Sequence, residues 1–133
     1  MLIEIILGAL LGLLAFVLWQ YLIRYTVPRF YLVCGPSMSP SLVDGQVVVG
    51  FKVHPNEPLT NGAIYGYIAP RNKNMWVIKR LAYQEKNGCY FLGDNSQEST
   101  DSRDYGLVRR DQIMFEVYWY KGMPRKGRKT GHG

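Results

Sequence analysis

The chain has 133 residues, 47% of them hydrophobic and 20% charged, which excludes a disordered protein and leaves room for one domain of modest core. Its net charge of +6 is concentrated at the carboxyl end, because residues 121–133 hold five basic side chains and no acidic one. The rest of the chain has 11 basic and 10 acidic side chains, so we predict no nucleic-acid partner.

Two cysteines and two histidines restrict the possible chemistry. Cys34 and Cys89 are too few for a disulfide framework, although they could pair in an oxidising compartment. We favour the alternative that both are small buried hydrophobic residues on strands. His54 and His132 alone do not provide a metal site or the partners of a Ser-His-Asp triad, so we expect no cofactor.

Residues 1–25 are predicted to form a transmembrane anchor. The run Ile5–Ile23 contains no charge and would span about 28 Å as a helix, close to the thickness of a bilayer core. Aromatic residues typical of the membrane interface mark its end: Trp19, Tyr21 and Tyr25. A cleaved signal peptide is the alternative, but no basic region precedes the run and no small-x-small motif follows it. We therefore expect an uncleaved, single-pass anchor.

The residues that flank the anchor leave its orientation and packing open. Arg24 and Arg29 follow the span, and the positive-inside rule alone would place the following domain in the cytoplasm. Gly8, Gly12 and Ala15 have a spacing that allows a second helix to approach, so the oligomeric state also stays open.

Residues 26–120 are predicted to form an all-β domain, because short β-branched and aromatic runs alternate with turn signals. Six strands are predicted: Arg29–Cys34, Gln46–Val53, Ala63–Ala69, Met75–Gln84, Cys89–Leu92 and Ile113–Tyr120. The turns and loops between them are Asp44-Gly45, Pro55–Gly62, Pro70–Asn74, Asn87-Gly88 and the polar segment Gly93–Arg103. Residues 121–133 are predicted to be a basic, disordered tail.

A serine between two turn signals is the first candidate for chemistry. Ser37 lies in the stretch Cys34–Leu42, between a Gly-Pro pair and a Met-Ser-Pro sequence. Such a position holds a hydroxyl on a tight, exposed corner, where a neighbouring base could activate it as a nucleophile.

A lysine inside a hydrophobic strand is the candidate base. Lys79 alternates with Val77 and Leu81, so all three side chains should point into the core. Burial lowers a lysine pKa by up to several units and so produces the neutral amine that accepts a proton. The alternative is a lysine that extends from a sheet edge into solvent. Lys52 and Lys73 are weaker candidates, since one ends a strand and the other lies in a predicted turn.

The polar segment Gly93–Arg103 could support these two residues. The Ser99 hydroxyl could aim a lysine amine, and Asp101 and Arg103 could form a charge pair that fixes the loop. Taken alone, the segment is better explained as a solvated loop.

Taken together, these motifs resemble the conserved boxes of the type I signal peptidases over roughly residues 28–120. The boxes are Gly-x-Ser-Met-x-Pro with a following Leu and Asp-Gly (35–45), Lys-Arg (79–80), and Gly-Asp-Asn, Ser-x-Asp-Ser-Arg and Tyr-Gly (93–106). Self-cleaving SOS-repressor-like peptidases share the first box, whereas the last is specific to the signal peptidase branch. The anchor occupies the place where a repressor would have its DNA-binding module.

The resemblance implies an antiparallel β domain behind a single membrane helix, with Ser37 as the nucleophile and Lys79 as its general base. It implies that Ser99 orients the lysine, and that the backbone N–H of Ser37 donates to the oxyanion. Gly35 stands where some members have a serine hydroxyl as a second oxyanion donor. Further residues implied in the site are Met38 beside the substrate cleft and the supporting residues Arg80, Asp94, Asn95, Asp101 and Arg103.

The resemblance also implies substrates and a location. Members cut precursor proteins after small side chains, usually in an Ala-x-Ala pattern, without a cofactor. They place the catalytic domain on the extracytoplasmic side of the cell membrane, and we follow the resemblance rather than the count of two arginines.

Only twelve residues separate Arg80 from Gly93, which makes this a minimal catalytic domain. In this respect the chain is also similar to small relatives that mature a nickel-containing superoxide dismutase, so a protease dedicated to one substrate is an alternative. A non-catalytic assembly protein with the same fold is a further alternative, although such relatives lose the serine or the lysine.

Overall fold

The computed structural model describes residues 1–119. Tyr120, the last residue of the predicted final strand, and the predicted tail over 121–133 lie outside the described residues.

The chain begins with helix α1, Leu2–Thr26, whose 25 residues extend for about 37 Å. Its 18-residue window has a mean hydropathy of 2.5, and no residue of that window is buried against the rest of the protein. The helix is therefore long and apolar enough to cross a membrane, and it is not a core helix of the domain that follows.

Six strands follow and form one antiparallel sheet in the order β1-β2-β6-β3-β4-β5. The strands are β1 (Arg29–Leu32), β2 (Val47–Lys52), β3 (Ile64–Ala69), β4 (Asn72–Glu85), β5 (Gly88–Leu92) and β6 (Ile113–Trp119). The predicted fold class, mainly β with an antiparallel domain behind one apolar N-terminal helix, is confirmed.

Two connections differ from the prediction. The turn predicted over Pro70–Asn74 is wrong in its second half, because Asn72 pairs with Ala69 and already belongs to β4. The segment Gly93–Arg103 is not a plain loop, since it contains a 3-10 turn and the start of helix α2 (Ser102–Tyr105). The Asp101 carboxylate caps α2 by accepting the Arg103 N–H, and Asp104 reaches back to the Asp101 N–H.

The core consists of two hydrophobic clusters on the sheet. One cluster lies beneath the segment that carries Ser37: Val33, Met38, Leu42, Val48, Ile64, Phe115 and Val117. The other lies beneath α2 and around β5: Val53, Tyr65, Tyr67, Leu81, Cys89, Phe91, Val108 and Ile113.

The expectation that both cysteines are buried on strands is half wrong. Cys89 is buried on β5, but Cys34 is exposed, because β1 ends at Leu32 and the chain turns away from the sheet. Neither cysteine forms a disulfide.

Candidate active site

Ser37 lies on a tight turn that two buried side chains fasten to the sheet. The Ser39 N–H donates to Pro36 O at 3.0 Å, and the Leu42 N–H donates to Met38 O at 2.9 Å. Met38 and Leu42 are almost fully buried in the first core cluster, while Ser37, directly before Met38, stays partly exposed. The turn therefore holds the hydroxyl at the surface on a rigid support.

Lys79 reaches this hydroxyl from β4. Its Nζ lies 2.6 Å from Ser37 Oγ, although 42 residues separate the two in the chain. The Lys79 side chain is only 4% exposed, and within residues 1–119 it makes no ion pair with a carboxylate. The alternative of a lysine that extends into solvent is wrong, and the core-facing alternation with Val77 and Leu81 is confirmed.

The protonation of Lys79 follows from this environment. Burial lowers the pKa of its amine below the ordinary value, and the nearby charge of Asp101 opposes that shift in part. A larger fraction of the amine is therefore neutral at a given pH than for a lysine in water. A neutral amine at hydrogen-bond distance from a hydroxyl can accept its proton.

Asn95 holds the backbone of the Ser37 turn. Its N–H donates to Ser37 O at 2.9 Å, and its Nδ2 donates to Pro36 O at 3.3 Å. The two bonds join the segment after β5 to the Ser37 turn, so rotation of that turn would break both.

Arg80 and Asp94 form a second connection. Arg80 Nε and Nη2 donate to the two Asp94 carboxylate oxygens at 2.9 and 2.6 Å, and Arg80 Nη1 donates to Gly62 O at 2.7 Å. Burial would raise the pKa of Asp94, but the hydrogen bonds from Arg80 and Ser41 outweigh it and keep the pKa low. Since Ser41 belongs to the Ser37 turn, Asp94 ties that turn to β4.

Asp101 is the buried centre of the polar network. Its side chain is fully buried and accepts hydrogen bonds from the Gly93 N–H at 2.9 Å, Ser99 Oγ at 2.7 Å and Arg103 Nη2 at 2.7 Å. Burial would raise the pKa of Asp101, but these bonds hold it well below its usual range. The predicted charge pair between Asp101 and Arg103 is confirmed.

Ser99 does not make the contact expected of it. Its hydroxyl donates to Asp101, and among the described residues no hydrogen bond joins it to Lys79. The observed connection to the lysine is indirect, because the charge of Asp101 acts on the Lys79 amine.

Two glycines meet requirements that a larger residue would violate. Gly35 has φ +90°, a conformation that favours glycine, and its N–H donates to Asp44 Oδ1 at 2.8 Å. A Cβ on Gly93 would lie 2.0 Å from Ser99 Oγ and 2.7 Å from Ser37 O. Gly93 is therefore the point where the polar segment packs directly against the backbone of Ser37.

A cleft of about 420 Å³ opens beside Ser37 and Lys79. Three aromatic rings line its apolar part: Tyr31 stacks on Phe115 with ring centroids 3.5 Å apart, and Trp76 lies 6.1 Å from Phe115. Cys34 and Thr100 also line the cleft, and Met38 lies beside it as expected.

Sequence reasoning missed three residues of this arrangement. Asp44 was predicted only as part of a turn, yet it holds the Gly35 N–H. Ser41 supports Asp94, and Thr100 borders the cleft. The only sequence signal for these residues was their position inside the motifs over residues 35–45 and 93–106. The weaker candidates lie elsewhere: Lys52 packs over the Tyr25 ring, and Lys73 is exposed on β4.

A scan against models of known protein families found no match to this chain, and a search of curated proteins also found none.

Proposed function

We propose that the protein is a membrane-anchored serine endopeptidase that uses a Ser37–Lys79 dyad. In the manner of the type I signal peptidases, it removes signal peptides or pro-segments from precursor proteins on the extracytoplasmic side of the membrane. The observation that carries this proposal is the 2.6 Å contact between Ser37 Oγ and a buried Lys79 amine that has no carboxylate partner within residues 1–119.

The dyad suits two consecutive acyl transfers. Neutral Lys79 takes the Ser37 proton as Oγ attacks the scissile carbonyl carbon, and the carbonyl oxygen becomes an oxyanion. The Lys79 ammonium then gives its proton to the leaving amine as the C–N bond breaks, which leaves an ester on Ser37. Water attacks this ester and gives a proton to Lys79, the acid product leaves, and the proton returns to Ser37 Oγ.

The oxyanion has one donor on the nucleophile itself. No acceptor for the Ser37 N–H is found in the described part of the chain, so this group is available to the oxyanion. One such donor contributes about 3 kcal/mol in well-aligned sites. The positive φ of Gly35 explains why a serine hydroxyl is disfavoured at that position.

The preference for small substrate side chains follows from the resemblance to the type I signal peptidases. Tyr31, Trp76 and Phe115 line the apolar part of the cleft beside Ser37, so we expect an uncharged substrate segment there. We propose that this segment is an extended Ala-x-Ala sequence. Helix α1 would keep the cleft near the bilayer, where precursor segments emerge.

The test is processing of a precursor by the purified full-length chain in detergent. We expect cleavage after the Ala-x-Ala segment, identified by sequencing the new amino terminus, and loss of cleavage in Ser37→Ala. Ser39→Ala, on the same turn, is the matched control and should keep its activity. Equal processing by wild type and Ser37→Ala would contradict the proposal, and shortening of the chain itself would indicate a self-cleaving protein instead.

A further inference from the structure

A second polar cavity lies where the carboxyl end of α1 meets the sheet. It has a volume of about 490 Å³ and shares no lining residue with the cleft beside Ser37. The residues that line it are Gln20, Tyr21, Ile23, Arg24, Tyr25, Arg29 and Lys52. It follows directly after the apolar run of α1, so in a membrane-spanning chain it would lie at the depth of the lipid head groups.

Three cations from three different elements converge on this cavity. Arg24 comes from α1, Arg29 from β1 and Lys52 from β2, and none of the described residues that line the cavity is a carboxylate. Within residues 1–119, none of the three forms an ion pair. Burial and then the charges of Arg24 and Arg29 lower the pKa of Lys52, so both arginines lie close enough to act on the Lys52 amine. An anion between them would relieve this repulsion.

The described surroundings do not already supply that anion. Glu57 and Glu116 line a separate cleft on another side of Lys52, and no carboxylate of residues 1–119 comes within ion-pair distance of the Lys52 amine. The carboxyl end of α1 contributes only about half a negative charge, which is small against three full positive charges.

Aromatic side chains complete the wall of the cavity. The Tyr21 and Tyr25 rings lie 5.1 Å apart, and Lys52 Nζ lies 5.8 Å from the Tyr25 ring centroid. The Tyr21 hydroxyl hydrogen-bonds to His54, which ties α1 to the end of β2. Tyrosine rings next to basic residues at the end of an apolar helix are typical of the head-group region of a bilayer.

We propose that this cavity binds the phosphate of an anionic phospholipid, with Arg24, Arg29 and Lys52 as its ligands. The inference requires α1 to lie in the membrane, but it does not depend on peptidase activity. Under this proposal Arg24 and Arg29 bind a lipid phosphate at this end of the span, whichever side of the membrane the domain occupies.

The test uses the full-length chain in a non-ionic detergent, mixed with equal amounts of phosphatidylglycerol and phosphatidylcholine and examined by native mass spectrometry. We expect one phosphatidylglycerol to be retained in preference to phosphatidylcholine. Arg24→Gln/Lys52→Gln should weaken this retention about 25-fold, since each basic residue near an anionic surface contributes roughly a factor of five. Arg29 is left unchanged because its side chain also interacts with Tyr31, which lines the catalytic cleft.

Two matched variants separate the site from general charge. Lys73→Gln/Lys86→Gln removes the same charge from exposed positions elsewhere and should retain the lipid as the wild type does. Arg24→Lys/Lys52→Arg keeps both charges and should also retain the lipid.

Equal retention of the two lipids by the wild type, or equal loss of retention in both neutralised pairs, would overturn the proposal. Displacement of the lipid by low-millimolar inorganic phosphate would assign the cavity to a soluble anion and overturn the lipid assignment. Circular dichroism of each variant checks that it is folded.

Discussion

Lys79 and Lys52 show how one residue type acquires two different properties within a single sheet. Burial lowers the pKa of both amines, but the neighbouring charges shift the two pKa values in opposite directions. At Lys79 the charge of Asp101 raises the pKa, whereas at Lys52 the charges of Arg24 and Arg29 lower it further.

The neighbouring groups decide what each lysine can do. The buried Lys79 amine faces the Ser37 hydroxyl at 2.6 Å, which supports the proton transfer that we propose for it. Lys52 faces two other cations in an open cavity, which supports the anion binding that we propose for it. A low lysine pKa alone would not distinguish a base from a binding residue, and the contact partner does.

The largest effect on precursor cleavage should come from removing the Lys79 amine, with removal of the Lys52 amine as the comparison. Lys79→Met keeps the length and apolar character of the side chain but removes the proton acceptor, so precursor cleavage should fall by at least about 10³-fold, within the range found for general bases. Lys52→Met is the matched variant and should keep cleavage in detergent within about twofold, our own estimate on the same scale. Initial rates of precursor cleavage measure both. Comparable loss in the two variants would show that Lys79 has no special role.

The second-largest effect should come from Gly93→Ala, which tests whether cleavage requires the observed position of the Ser37 backbone. Gly93→Ala introduces a methyl group where Ser99 Oγ would be 2.0 Å and Ser37 O 2.7 Å away, so both must move. Because small displacements of reacting groups are costly, cleavage should fall by about 10²-fold. Gly12→Ala should leave cleavage unchanged, because the added methyl group would meet no atom of the described chain within 4 Å outside its own helical turn. Thermal unfolding measured in parallel separates misplacement from loss of fold, and full activity in Gly93→Ala would refute this role.

A smaller effect concerns pH. The active form of Lys79 is the neutral amine, so kcat/KM should rise about tenfold per pH unit below the lysine pKa and level off above it. Since that pKa is lowered, the plateau should be reached at a lower pH than for a lysine in water. Thr100→Asp adds a carboxylate beside the cleft and should shift the rise to higher pH, whereas the isosteric Thr100→Asn should not. An identical pH profile in both variants would indicate that another group controls the rate.

Much of the fold could be predicted because strands and turns have local signals. Alternating β-branched and aromatic residues identified all six strands, and the long charge-free run identified α1. Errors arose where pairing overrides composition. Asn72 has a turn-like sequence context, yet its pairing with Ala69 extends β4.

The site could be predicted only in part. Burial of Lys79 followed from its hydrophobic neighbours. Its pairing with Ser37 was predicted because a hydroxyl and a neutral amine make a nucleophile and a base, and because the resemblance to the type I signal peptidases implies that pair. The hydrogen bonds of Asn95 to the Ser37 turn depend on how separate segments fold together, and no local pattern encodes them. The cavity formed by Arg24, Arg29 and Lys52 was missed for the same reason, because the three residues follow one another at intervals that suggest no common site.

The smallest effect is on stability and again contrasts the two lysines. Burial makes the charged form of Lys79 unfavourable, so the folded protein binds fewer protons than the unfolded chain at pH values between the folded and unfolded pKa of this residue. Stability should therefore rise with pH across that window. Lys79→Met removes the buried charge and should raise the free energy of unfolding by about 1 kcal/mol at pH 6, since apolar replacement of buried charge is often stabilising. The gain should shrink as the pH increases through the window, because the wild-type amine loses its charge.

Lys52→Met changes a partly exposed side chain and should alter the free energy of unfolding by less than about 0.5 kcal/mol at any of these pH values. Denaturant unfolding of the three proteins at pH 6 and pH 9 measures these differences. A Lys79→Met protein that is less stable than the wild type at pH 6 would show that the amine is held charged by favourable contacts, which is incompatible with its use as a base.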